Sequence, residues 1–238
     1  MNLLKRLKEE KDDRTKGGIY HKVQIELTYN SNHLEGSRLS HDQTRFIFET
    51  NTVAPEKDNQ SLDVDDIVET VNHFRCIDMV IDYAESDLSE VFIKGLHGIL
   101  KNGTSDSRKS WFRIGEYKSL PNEVGGVSTT LPEEVSTEMA KLLENWNRKT
   151  ERDLEDILNF HYIFENIHPF QDGNGRIGRL IMFKECLKND IVPFIITDDL
   201  KYYYYRGLKE WKSERGFLID TCLTAQDRFE QYIKYFRI

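Results

Sequence analysis

The 238 residues suffice for one buried core and no Pro- or Gly-rich linker divides them, so the simplest reading is a single domain over 1–238. A formal charge of −8 argues against nucleic acid as a partner, and the basic stretch Lys5 to Lys8 is balanced at once by Glu9, Glu10, Asp12 and Asp13. No apolar run approaches about 18 residues and none reads as a signal peptide, so neither a membrane span nor export is expected; Cys76, Cys186 and Cys222, odd in number and without CxxC or zinc spacing, predict reduced thiols in a cytoplasmic protein.

Helical periodicity dominates the chain. Residues 1–60 read as an N-terminal helical segment, in which Ser31 to Gly36 can end a helix with Gly36 as its left-handed cap and Glu35 in solvent. Val64, Ile67, Val68, Val71 and Phe74 fall at helix spacing, and apolar helices follow over about Ser89 to Leu100 and Pro132 to Asn147. The intervening Lys101 to Leu131 holds four of the 14 Gly and one of the 5 Pro and cannot be helical throughout; so long a connection is usually functional. Leu154, Ile157, Leu158, His161 and Tyr162 predict a further helix, with His161 packed in the core, and His33 and His97 are likewise read as structural. Tyr202 to Tyr205 point about 100° apart in turn, so some must be core, and a last helix covers about Phe217 to Phe236. The fold class is therefore all-α, a helical bundle whose apolar faces bury either the core or a second copy of the chain.

The most informative run is His168-Pro169-Phe170-Gln171-Asp172-Gly173-Asn174-Gly175-Arg176-Ile177-Gly178-Arg179. His168 can accept a proton near neutral pH, and Pro169 breaks the preceding helix. Gly173 and Gly175 allow positive φ on either side of Asn174, and the apolar spacing from Ile177 predicts a helix starting near Gly175. A glycine turn feeding a helix N-terminus is an anion site, and Arg176 and Arg179, three residues apart, can face the same phosphate. Asp172 offers a hard oxygen for Mg2+. The glycines also satisfy the dinucleotide-binding pattern G-x-G-x-x-G, but the preceding segment is helical and not a strand, so that reading is rejected.

Residues His168 to Arg179 resemble the complete signature of Fic-domain proteins of the AMP-transferring type. The resemblance implies a Fic-type helical bundle with a short β-hairpin flap, in which residues 61–238 form the Fic core, and a protein adenylyltransferase that moves AMP from ATP to a Ser, Thr or Tyr hydroxyl of a target protein, with automodification possible. His168 then deprotonates the hydroxyl, Asp172 binds Mg2+, and Gly173, Asn174, Gly175, Arg176 and Arg179 hold the phosphates. The flap would span about 116–131, with Val124, Gly125, Gly126 and Val127 approaching ATP and the target docking along it as an added strand. An ordinary Gly-Gly turn is the plainer reading of the same letters. Tyr204 and Tyr205 would line the base pocket, although Lys212 stands where the family commonly has an asparagine.

Ser31-Asn32-His33-Leu34-Glu35-Gly36 is similar to the inhibitory motif that some Fic proteins carry ahead of the core. It implies an inhibitory helix at about 28–36, with Ser31 and Glu35 one turn apart and Glu35 engaging Arg179 in place of ATP's outer phosphate. Two alternatives stand beside transfer: hydrolysis of an existing AMP modification, with Glu35 placing a water, and a non-catalytic module that binds nucleotide and a partner.

Overall fold

A computed structural model describes residues 3–56 and 61–238. The helices are α1 (Leu3–Asp12), α2 (Ile19–Leu34), α3 (His41–Thr50), α4 (Val64–Asp82), α5 (Glu90–Leu100), α6 (Pro132–Arg148), α7 (Leu154–Ile167), α8 (Asn174–Lys188), α9 (Lys201–Glu210) and α10 (Gly216–Phe236). Between α5 and α6 lie a 3-10 turn at Asp106–Arg108 and a hairpin of β1 (Glu123–Val124) and β2 (Val127–Ser128). The fold is all-α with one short hairpin, as expected. No helix among the described residues is long and apolar enough to cross a membrane.

Local chemistry sets the helix ends. Ser89 Oγ caps α5 by accepting from Phe92 N at 3.2 Å, and Asp153 and Asp156 form a reciprocal capping box at the start of α7. Pro132 opens α6, where its missing N–H costs nothing. The helix carrying Ser31 starts earlier than expected, at Ile19, and ends at Leu34. Its interior buries Gln24, Thr28, Asn30, Ser31 and Asn32 alongside apolar residues, so no clean apolar stripe marks its length. Glu35 is the C-cap, and Gly36 has φ +98°.

Helix α8 runs through the middle of the bundle against α2, α4, α5 and α7. Nearly all its residues are buried, Lys184 and Glu185 included. The Lys184 ammonium donates to Glu185 Oε1 (2.8 Å) and to the carbonyls of Ala84 (3.2 Å) and Ser86 (2.7 Å), while Trp146 Nε1 donates to Glu185 Oε2 (3.2 Å). One cluster of buried side chains extends from Leu3 to Ile233, and a second, smaller one (Leu39, Ile47, Phe74) lies beneath α3. All three cysteines are buried free thiols. Removing one member of a buried ion pair strands the other, which costs about 3–5 kcal/mol. Glu185→Ala is therefore expected to lower Tm by roughly 10 °C in a chain of this size, as read by calorimetry.

Candidate active site

Helix α7 stops at His168, whose N–H still bonds Phe164 O at 2.9 Å but whose φ of +49° turns the chain out of the helix ahead of Pro169. The imidazole is mostly buried. Its Nδ1 lies 3.8 Å from Glu165 Oε2. Burial first, and the Lys118 charge second, bring His168 down to about 4 against Glu165, Glu35 and Asp172, so the ring is neutral and able to accept a proton at physiological pH.

Gly173 follows in the left-handed region at φ +84° and starts α8. The Asn174 side chain pins this turn, accepting from Phe170 N and donating to Phe170 O, both at 2.8 Å. What the turn offers an anion is therefore backbone N–H groups. Gly175 departs from expectation: it is helical and does not take positive φ. Its missing Cβ matters for space, because a Cβ there would collide with Glu35 Oε1 and stand 3.0 Å from Arg179 Nη1.

Glu35 thus sits over the first turn of α8. Arg179, 5% exposed, donates from Nη2 to Glu35 Oε1 at 2.6 Å and to Ser31 O at 2.9 Å, and from Nε to Ser31 Oγ at 3.0 Å. Burial opposes charge on this guanidinium, but Glu35, Tyr204 and Tyr205 together outweigh it and keep Arg179 firmly protonated.

Arg176 is held by acids from two directions: Nη1 donates to Glu69 of α4 and Nη2 to Asp172 Oδ2 at 3.1 Å. Lys101, just beyond α5, contacts the same Glu69, Asp172 Oδ2 at 2.7 Å and Asp106 Oδ2 at 3.2 Å. Charges alternate around this ring. Burial would raise Asp172, but Arg176 and Lys101 prevail and hold it ionised at about 2. Among the described residues no group of three or more His, Cys, Asp or Glu forms a metal cage. A single ionised carboxylate fits Mg2+, which usually takes one or two carboxylates and completes its shell with substrate phosphates and water.

The tyrosines divide. Tyr204 is buried and its hydroxyl lies 2.5 Å from His161 Nε2, so both are core residues. Tyr205 is 40% exposed and donates to Leu34 O at 3.3 Å. Lys212 is exposed. At the flap, Gly125 (φ +58°) and Gly126 (φ +78°) form the turn between Val124 and Val127, which pair across the hairpin. This is the two-residue turn that demands positive φ at both positions, and no other atom lies within 4 Å of where their Cβ atoms would be.

The sequence reading did not single out Glu69, Lys101, Lys118 or Glu165. Glu69 and Lys101 lie 107 and 71 residues from the partners they hold in the signature run, beyond any local spacing rule.

Buried imidazoles make the fold sensitive to acid. Burial lowers His73 to about 3, His97 to about 4 and His161 to about 3, beside His168 at about 4. Each depressed histidine adds stability that is complete above the unfolded value near 6.5 and is lost as pH falls towards the folded one. Glu165 runs the other way: burial, then Glu35, raises it to about 8, so its contribution is complete below the unfolded carboxyl value and fades as pH rises. Near pH 5 the unfolded chain carries close to four protons on these imidazoles while the folded chain carries one on Glu165, a difference of nearly three (4 − 1). The limiting slope is about 4 kcal/mol per pH unit. Tm is expected to fall by more than about 10 °C between pH 6.5 and 5. A Tm that stays level over that range would contradict the burial of these rings.

A helical bundle in which a histidine-led turn feeds a buried central helix, with a hairpin alongside, is the architecture of Fic folds. Residues 87–186 match the model of the Fic/DOC family, so this part of the chain carries a Fic domain. It is 27% identical over 190 residues to a protein adenylyltransferase Fic of Nematostella vectensis, covering 76% of this chain and 42% of that protein. It is 25% identical over 197 residues to protein adenylyltransferase fic-1 of Caenorhabditis elegans, covering 80% and 35%. The chain thus spans about two-fifths or less of the length of these curated relatives. Among solved structures, a Fic domain containing signalling protein from Bacteroides thetaiotaomicron superposes with a TM-score of 0.75 at 23% identity over 97% of this chain and 94% of that one. A Fic family protein from Desulfovibrio desulfuricans gives 0.72 at 22% identity over 98% and 74%. Both likenesses concern the fold.

Proposed function

We propose that this chain is a protein adenylyltransferase, transferring AMP from ATP to a Ser, Thr or Tyr hydroxyl of a target protein, and that Glu35 restrains it by occupying Arg179. The observation that carries the reading is the 2.6 Å contact from Arg179 Nη2 to Glu35 Oε1 over the N-terminal turn of α8. A carboxylate resting where a phosphate is favoured is what a competitor for that anion site looks like.

The target hydroxyl attacks the α-phosphorus of ATP while neutral His168 takes its proton, the bond to the β-phosphate oxygen breaks, and pyrophosphate leaves. The backbone N–H groups of the Gly173 to Gly175 turn face the phosphate charge. Arg179, once free of Glu35, binds the outer phosphate, and Arg176 adds charge on the same side. Asp172 would hold Mg2+, which supplies charge neutralisation on the phosphates. A target segment docks along the flap, where Val124 and Val127 are exposed. Several relatives bear the name protein adenylyltransferase, which supports the same reading. The test incubates wild type and Glu35→Gly with ATP labelled in its α-phosphate, Mg2+ and cell lysate, and reads protein-bound label, automodification included. No label above background from Glu35→Gly would defeat the proposal.

A further inference from the structure

Lys118 is 4% exposed and lies just ahead of the hairpin, at the base of the flap. Its ammonium donates to Asn122 Oδ1 (2.7 Å), Thr129 Oγ1 (2.6 Å) and Ile167 O (3.3 Å), and its backbone N–H donates to Pro169 O (2.8 Å). It therefore grips the chain immediately before and immediately after His168. Asn122 and Thr129 are the residues that open and close the hairpin, and Asn122 Nδ2 reaches Phe170 O at 3.1 Å. Lys118 and Asn122 together join the base of the flap to the catalytic turn.

The charge is the unusual part. Among the described residues the other two fully buried lysines face carboxylates: Lys101 faces Glu69, Asp106 and Asp172, and Lys184 faces Glu185. Lys118 has three neutral oxygens, which satisfy its three donors and leave its charge uncompensated. A neutral donor could make most of these bonds without the cost of burying an unpaired charge. Burial accordingly brings Lys118 down to about 8, which still leaves it mainly protonated at neutral pH.

We propose that Lys118 is a positioning residue that clamps the flap to the catalytic turn and sets its uncompensated charge against protonation of His168, adding to the effect of burial. This rests on the transfer reading above for the role of His168. The other groups that act on His168 are a backbone hydrogen bond at Glu165 on α7 and the carboxylates of Glu35 at the end of α2 and Asp172 in the turn, all of which favour its protonation. Lys118 is their counterweight, placed where the target-docking hairpin and the proton acceptor move as one unit.

The test follows the His168 imidazole by NMR in the full-length protein through a pH titration, which requires no transfer reaction. Lys118→Gln keeps a donor and removes the charge, and is expected to move the His168 midpoint up by about one pH unit, a tenfold change in proton affinity. Lys118→Arg, which retains charge, should leave the midpoint near wild type. Asn122→Asp gives Lys118 a counter-ion without touching it, should raise the midpoint as well, and serves if the glutamine variant unfolds. In a Glu35→Gly background, Lys118→Gln should lower kcat at least tenfold with little change in KM for ATP. An unmoved midpoint in Lys118→Gln or Asn122→Asp, or equal shifts in Lys118→Gln and Lys118→Arg, overturns the proposal. Shifted midpoints with no AMP incorporation by Glu35→Gly would instead overturn the transfer reading and leave the clamp standing.

Discussion

Glu35→Gly is expected to raise AMP incorporation about thirtyfold over wild type at saturating target. An ion pair at 4 Å is worth about 4 kcal/mol at an effective dielectric of 20, and desolvation takes back part of that. If about 2 kcal/mol remains, Arg179 is free in roughly 3% of molecules, and removing the carboxylate lifts that fraction towards one. Arg179 keeps its bonds to Ser31 Oγ and Ser31 O, so the guanidinium stays in position when Glu35 is gone. The same substitution should tighten ATP binding by a comparable factor and leave AMP binding unchanged, because only the outer phosphate competes with Glu35. Calorimetric titration with both nucleotides reads this directly, and equal affinity gains for ATP and AMP would place the competition elsewhere.

His168→Ala is expected to lower transfer in the Glu35→Gly background by roughly 10²- to 10⁴-fold, the usual contribution of a positioned general base. The fold should survive. The backbone N–H to Phe164 O remains, and His168 Nδ1 has no hydrogen-bond partner to lose. ATP binding should also survive, since Gly173 to Arg179 are untouched. A rate within threefold of the parent, measured with folding verified by circular dichroism, would remove His168 from the chemistry.

Much of this was legible before any coordinates. The run from His168 to Arg179 announces a turn, a helix and an anion site because glycine, proline and arginine act over a few residues, and Ser31 and Glu35 could be assigned to Arg179 once the signature was recognised. Helices with one apolar face, such as α5 and α6, were placed to within a residue. The start of α2 was not, because a helix buried on several sides loses the periodic contrast that marks an amphipathic one. Gly175 was misread for a related reason: its value lies in the space it leaves for a side chain 140 residues away, and φ has no part in it. The partners of Arg176 and the clamp by Lys118 depend on how α4, α5 and the flap meet α8, which only the packed fold determines.

Glu35 lies just past the last turn of its helix, next to Gly36 at φ +98°. Under the proposed restraint, the carboxylate that would block Arg179 is therefore mounted on a pivot of two residues, while Leu27 and Leu34 anchor α2 in the core. Swinging it aside requires rotation about a few backbone bonds and leaves the helix seated. An activator consequently has only to outbid a single ionic contact, without melting any part of the bundle.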